Sequence, residues 1–121
     1  MNTALWIIQG ILAAMFVMAG LMKSTQPKEK LAPKLPWVND YSAGMVKFIG
    51  ISELLGAIGL IVPLATGILP ILTPIAAAAM ALIMVLAALY HFRKGEYAGI
   101  GINFVMGALF LTVAYFRYKG L

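Results

Sequence analysis

The chain contains no cysteine. Disulfide exchange, thiolate catalysis and cysteine-ligated zinc or iron–sulfur centres are therefore excluded, and the redox compartment cannot be read from the sequence. Charge is also scarce, at 11% of 121 residues, whereas a soluble domain carries about 25%. A water-facing surface cannot be built from that inventory. The single histidine cannot supply both axial ligands of a haem within one chain. The eight methionines, among them Met15, Met18, Met22, Met80 and Met84, fall at helical spacing and are expected as adaptable packing rather than metal ligands. No metal site is expected.

What is present is hydrocarbon, with hydrophobic residues making up 63% of the chain. Four apolar segments stand out, at about 4–22, 45–64, 74–92 and 99–118. Each approaches the ~20 residues that a spanning helix needs. The first lacks a basic leader and a small-x-small cleavage site, so it reads as a retained helix and not a signal peptide. The fold class is therefore all-α. The expected structure is a polytopic membrane protein with four transmembrane helices in an antiparallel bundle, forming a single domain over 1–121.

The loops agree with this reading. Pro27, Pro33 and Pro36 interrupt the first and longest loop, which rules out one continuous helix there. A short interfacial turn is expected around Lys28 to Ala32, with Trp37 and Tyr41 at headgroup level. Pro63, Gly67, Pro70 and Pro74 mark the second connection, expected from Pro63 to Thr73. The third loop is short, so the last two helices should form a hairpin. Small residues occur in all four segments, including Gly10, Ala14, Gly20, Gly50, Gly56, Ala77 and Gly107, and they permit close packing in lipid.

The net charge of +5 is explained by topology and lipid headgroups, not by nucleic acid, because the basic residues flank apolar segments. Lys23, Lys28, Lys30, Lys34, Lys47, Arg93 and Lys94 fall on the side of loops one and three, and Arg117 and Lys119 fall on the other. Positive-inside counting then places loops one and three in the cytoplasm and both termini outside.

Glu53 is the most informative position. It is the only charged residue past Lys47 in the second segment, about 12 Å in from Met45 at the helical rise. Ionisable groups at such depth usually face a protein interior or a wet cavity. Its helical neighbours Gly50, Gly56 and Ala57 place it on the tight-packing face. Antiparallel threading brings Lys23, His91 and Asn103 to the same half of the membrane. The functional reading is a polar pocket of Glu53, His91 and Asn103 with Lys23 at its mouth. It would suit proton transfer or hydrogen bonding to a carbonyl-bearing apolar ligand such as a quinone. The structural reading is that Glu53 and Asn103 bond each other or backbone and fix helix register. His91 could equally be an interfacial residue, and Lys23 a snorkelling one. Gln9 lies nearer the opposite end and is expected to bond between helices. Tyr90 and Tyr97 lie at the loop-three rim.

These residues carry a resemblance to a known family. Gln9 and a terminal Lys23 occur in "LWIIQGILAAMFVMAGLMK". The second segment reads E-L-x-G-x-x-G-L-x-x-P from Glu53 to Pro63. His91 closes the third in "LTPIAAAAMALIMVLAALYHFRKGE" (72–96), and "NFVMGALFLTVAYFR" follows from Asn103. Together they resemble the DoxX-like family of small four-helix membrane proteins. The resemblance implies a bundle in a bacterial inner membrane. It also implies a small subunit or accessory protein of a quinone-linked redox system, since founding members look like subunits of thiosulfate:quinone oxidoreductase. The alternative is an assembly factor, or a module binding lipid or a small apolar ligand without catalysis. Quinone is the cofactor to consider. The expected partners are the lipid bilayer, a membrane or membrane-associated protein, and a second copy of the chain.

Overall fold

The computed structural model describes residues 2–33, 35–95 and 97–120. Lys34 of the basic count and Glu96 at the end of the third motif lie outside the described residues. Five α-helices form: α1 (Asn2–Thr25), the single turn α2 (Lys28–Leu31), α3 (Ala43–Thr66), α4 (Leu72–Lys94) and α5 (Tyr97–Lys119). A 3₁₀ turn over Pro36–Asp40 precedes α3. The chain is all-helical among the described residues, and α1, α3, α4 and α5 each contain a stretch long and apolar enough to cross a membrane.

Each spanning helix begins and ends slightly outside its apolar segment, and at three of those ends a cap sets the boundary. Ser42 accepts a hydrogen bond from the Met45 backbone N–H at 3.1 Å and starts α3, as N-cap serines do. Gly67 (φ 74°) and Gly95 (φ 73°) end α3 and α4 in the left-handed conformation that glycine adopts without penalty.

The bundle closes in the order α1–α3–α4–α5, with close backbone approach along those three seams. The fourth seam, α5 to α1, is bridged by larger side chains, as in the Phe16–Phe110 ring contact at 5.3 Å. The core joins Leu5, Leu12, Leu60, Met80, Phe110 and Val113. Outward-facing Ile7, Phe48, Leu55, Leu82, Phe104 and Leu111 are exposed, as an acyl-chain environment requires. Met80 and Met84 pack inside, whereas Met15 and Met18 face outward. A smaller cluster of Leu31, Val38 and Val46, flanked by Trp37 and Tyr41, folds the first loop onto the bundle end.

One expectation changes. Pro63 does not open the second connection but lies inside α3. Proline has no N–H and so leaves the carbonyl four residues back without its helical donor; that carbonyl belongs to Gly59. The buried Thr73 hydroxyl donates to the Gly59 carbonyl oxygen at 2.9 Å. A neighbouring helix thus satisfies the group that Pro63 freed, which is how prolines are accommodated in membrane helices. Close packing makes this reach available, since a Cβ at Gly59 would lie 2.7 Å from the Ala76 Cβ.

This pairing is testable. Thr73→Val should destabilise the bundle by about 1 kcal/mol, measured by denaturation in micelles. In a Pro63→Ala background, which restores the helical donor, the same substitution should cost measurably less. Equal costs in the two backgrounds would refute the compensation.

Candidate functional site

The site begins with glycines. A Cβ on Gly20 would lie 2.7 Å from the Gly50 carbonyl oxygen, and one on Gly50 would lie 2.7 Å from the Lys23 Cβ. Side chains at either position would hold α1 and α3 apart. Lys23 and Glu53 each follow one of these glycines by three residues, which places them near the same contact face. Side chains lean toward the N-terminus of their helix. For α1 that direction runs from the loop end into the bundle, so Lys23 leans inward. Its Nζ reaches the Glu53 Oε1 at 2.6 Å. The Glu53 side chain is 2% exposed and that of Lys23 14%. The Trp37 ring covers the ammonium, with its centroid 5.3 Å from Nζ, a cation–π contact that adds to the ion pair.

A second polar node lies about 10 Å deeper along α3, seven residues on at the helical rise. Gln9 is fully buried. Its amide nitrogen donates to the Leu60 carbonyl oxygen at 2.6 Å, and its amide oxygen accepts from the Arg117 Nε at 2.7 Å. Arg117 also donates to the Asn2 side-chain oxygen at 2.7 Å and lies 5.1 Å from the Trp6 ring centroid. Among the described residues, the acids Glu29, Asp40 and Glu53 belong to the other end of the bundle. Among the described residues, Arg117 is therefore held by neutral amides and an indole face, not by a counter-ion.

The residues expected around Glu53 divide. Lys23 is there, engaged with the acid and not snorkelling away from it. Tyr90 and His91 lie at the loop-three end of α4 with ring centroids 5.5 Å apart. The Tyr90 hydroxyl donates to Asp40, and Lys94 pairs with the same carboxylate at 3.2 Å. This forms a rim that ties the first loop to the end of α4. Tyr97, expected at the same rim, packs its ring edge-on against Phe92, 6.1 Å between centroids. Asn103 lines a groove between α4 and α5 of about 440 Å³, with Met84, Ala88, Phe92, Phe104 and Gly107. It is the only polar side chain among the described residues lining the groove. Lys23 also borders a cleft of about 250 Å³ on the loop side, with Ser24, Gln26, Pro27, Val46 and Lys47.

Trp37, Asp40 and Arg117 were not among the expected site residues. Trp37 and Asp40 lie in the proline-punctuated loop, where spacing gives no face to read. Arg117 looks in sequence like a flanking cation. The one signal that could have found it is the lack of any acid at that end.

Four apolar helices closed over two buried polar nodes define a small polytopic membrane bundle. The match to the DoxX-like family extends over residues 7–113, and the chain belongs to that family. It is an integral membrane protein. No curated relative and no solved structure matches it significantly.

The coupling between Lys23 and Glu53 can be measured. Removing one member of a buried pair leaves the other uncompensated and costs about 3 kcal/mol, whereas an apolar replacement of both is often neutral. Glu53→Gln should destabilise strongly, and the Lys23→Met/Glu53→Leu double variant should recover most of the loss. A double variant as unstable as the two single variants added together would show that the two residues act independently.

Proposed function

We propose that this DoxX-like chain is an accessory subunit of a membrane redox system that holds a carbonyl-bearing apolar molecule, a quinone in the first instance. The observation that carries this reading is the α4–α5 groove. Its volume of about 440 Å³ falls in the range of small-molecule sites, which pair apolar walls with a few placed polar groups. Asn103 supplies the polar group, an amide able to donate to a ring carbonyl. Phe92 and Phe104 offer aromatic faces beside it. Exposed Phe92, Phe104 and Leu111 leave the groove open to the hydrocarbon, from which a lipid-soluble molecule would enter.

The reading assigns the ligand contact to Asn103 and a positioning role to Glu53, whose carboxylate is engaged by Lys23. It gives the chain no turnover of its own. A second reading is favoured by the wholly apolar remainder of the groove lining: an acyl chain would fit as well, and the chain would then be a lipid-holding or assembly module.

The two readings separate on ligand addition. In quinone-free nanodiscs, saturating ubiquinone or menaquinone should raise the unfolding temperature by about 5 °C, and Asn103→Leu should abolish the shift. No shift in the wild type, or one that persists in Asn103→Leu, would overturn the quinone reading. A phospholipid acyl chain crosslinked into the groove would establish the second.

A further inference from the structure

The cleft beside Lys23 lies outside the quinone reading and differs from the groove in chemistry. It forms where α1 ends and α3 begins, above the Gly20–Gly50 contact, because the chain turns away at Pro27. Its walls include the apolar Pro27 and Val46 and the polar Gln26, Lys23 and Lys47. Two cations therefore border one cavity of about 250 Å³. Glu53 offsets only one of them, since it is spent on Lys23. Lys47 has no acidic partner among the described residues. The cleft thus carries a net positive charge at the level where the spanning helices meet the headgroup region.

We infer that this cleft is a binding site for a phosphate-bearing anion, with Lys47 as the principal contact and Lys23 as the fixed inner wall. The phosphate of an acidic phospholipid and a free phosphate monoester share the chemistry that Lys47 and the Gln26 amide would recognise. Lys23 is held in place from below by Glu53 and from the side by Trp37. One wall of the site is therefore ordered before any anion arrives, and this reduces the cost of binding. Other cations at the same bundle end are arranged differently. Lys94 is paired with Asp40, and neither Lys30 nor Arg93 borders this cleft.

The test uses the full chain in nanodiscs, with Lys47→Gln, Lys47→Arg and, as a control at the opposite end, Lys119→Gln. Phosphatidylcholine discs are doped with phosphatidylglycerol, and lipid retained by the protein is read by native mass spectrometry. In a parallel arm, glycerol 3-phosphate is titrated into phosphatidylcholine discs and the unfolding temperature is followed. Lys47→Gln should lower retention of phosphatidylglycerol about fivefold, while Lys47→Arg and Lys119→Gln should retain it as the wild type does. If glycerol 3-phosphate stabilises the wild type but not Lys47→Gln, the source is a free phosphate; if only phosphatidylglycerol depends on Lys47, the source is the lipid. Either result supports the site. Retention and stability that are indifferent to Lys47 in both arms would overturn it.

Discussion

The structure depends on a lysine that points inward. A charged side chain near the end of a membrane helix ordinarily extends toward the headgroups, but Lys23 turns back along α1 and meets Glu53 at 2.6 Å. Glycine makes this geometry available. With Gly20 against Gly50, α1 and α3 approach closely enough that a Cβ on either would collide with the other helix. The Glu53 end of the ion pair is then buried, while Lys23 borders the cleft at the bundle end. Hydrocarbon tolerates neither member alone, so the pair fixes the axial register of α1 on α3: a slip of one turn would separate the charges by about 5 Å.

Elsewhere in the bundle, neutral side chains satisfy buried polar groups. Gln9 bridges a carbonyl of α3 and the guanidinium of α5, closing the one seam where backbones do not approach closely. Thr73 reaches the carbonyl that Pro63 leaves open. These bonds fall on consecutive carbonyls, Gly59 and Leu60, one from α4 and one from α1. Side chains of α1 and α4 thus meet α3 at adjacent carbonyls, one of them freed by Pro63.

Much of the fold was legible in the sequence because the membrane imposes a single strong rule. Apolar stretches of about 20 residues must be helices, and four of them with short connections make a bundle. The burial of Glu53 was legible for a related reason: Gly50 and Ala57 mark its face as the packed one. The helix ends were less so, because Ser42, Gly67 and Gly95 act through backbone geometry that hydropathy does not register. Pro63 reads as a breaker in sequence because its compensating hydroxyl is ten residues away and on another helix. Membrane depth groups Lys23, His91 and Asn103 in one half of the bundle but does not say on which sides of their helices they lie. Lys23 shares the face of Glu53 and pairs with it. Asn103 lies in the α4–α5 groove, and His91 belongs to the rim with Tyr90.

That division bears on where chemistry can occur. An intramembrane acid invites a functional reading, yet this carboxylate has its counter-ion at hydrogen-bond distance and an indole over that counter-ion. A ligand would have to break a charge-assisted bond to engage it. The Asn103 amide lines an apolar groove and the Lys47 side chain a cleft at the bundle end, both at the periphery. The central ion pair holds the scaffold rigid, and this rigidity lets two shallow peripheral features keep a defined shape. Sites supported by packed helices hold their geometry better than sites on loops. In so small a bundle, placing the costly charges in the middle frees the outer faces of α4, α5 and the α1–α3 entrance for contact with lipid, a ligand or another protein.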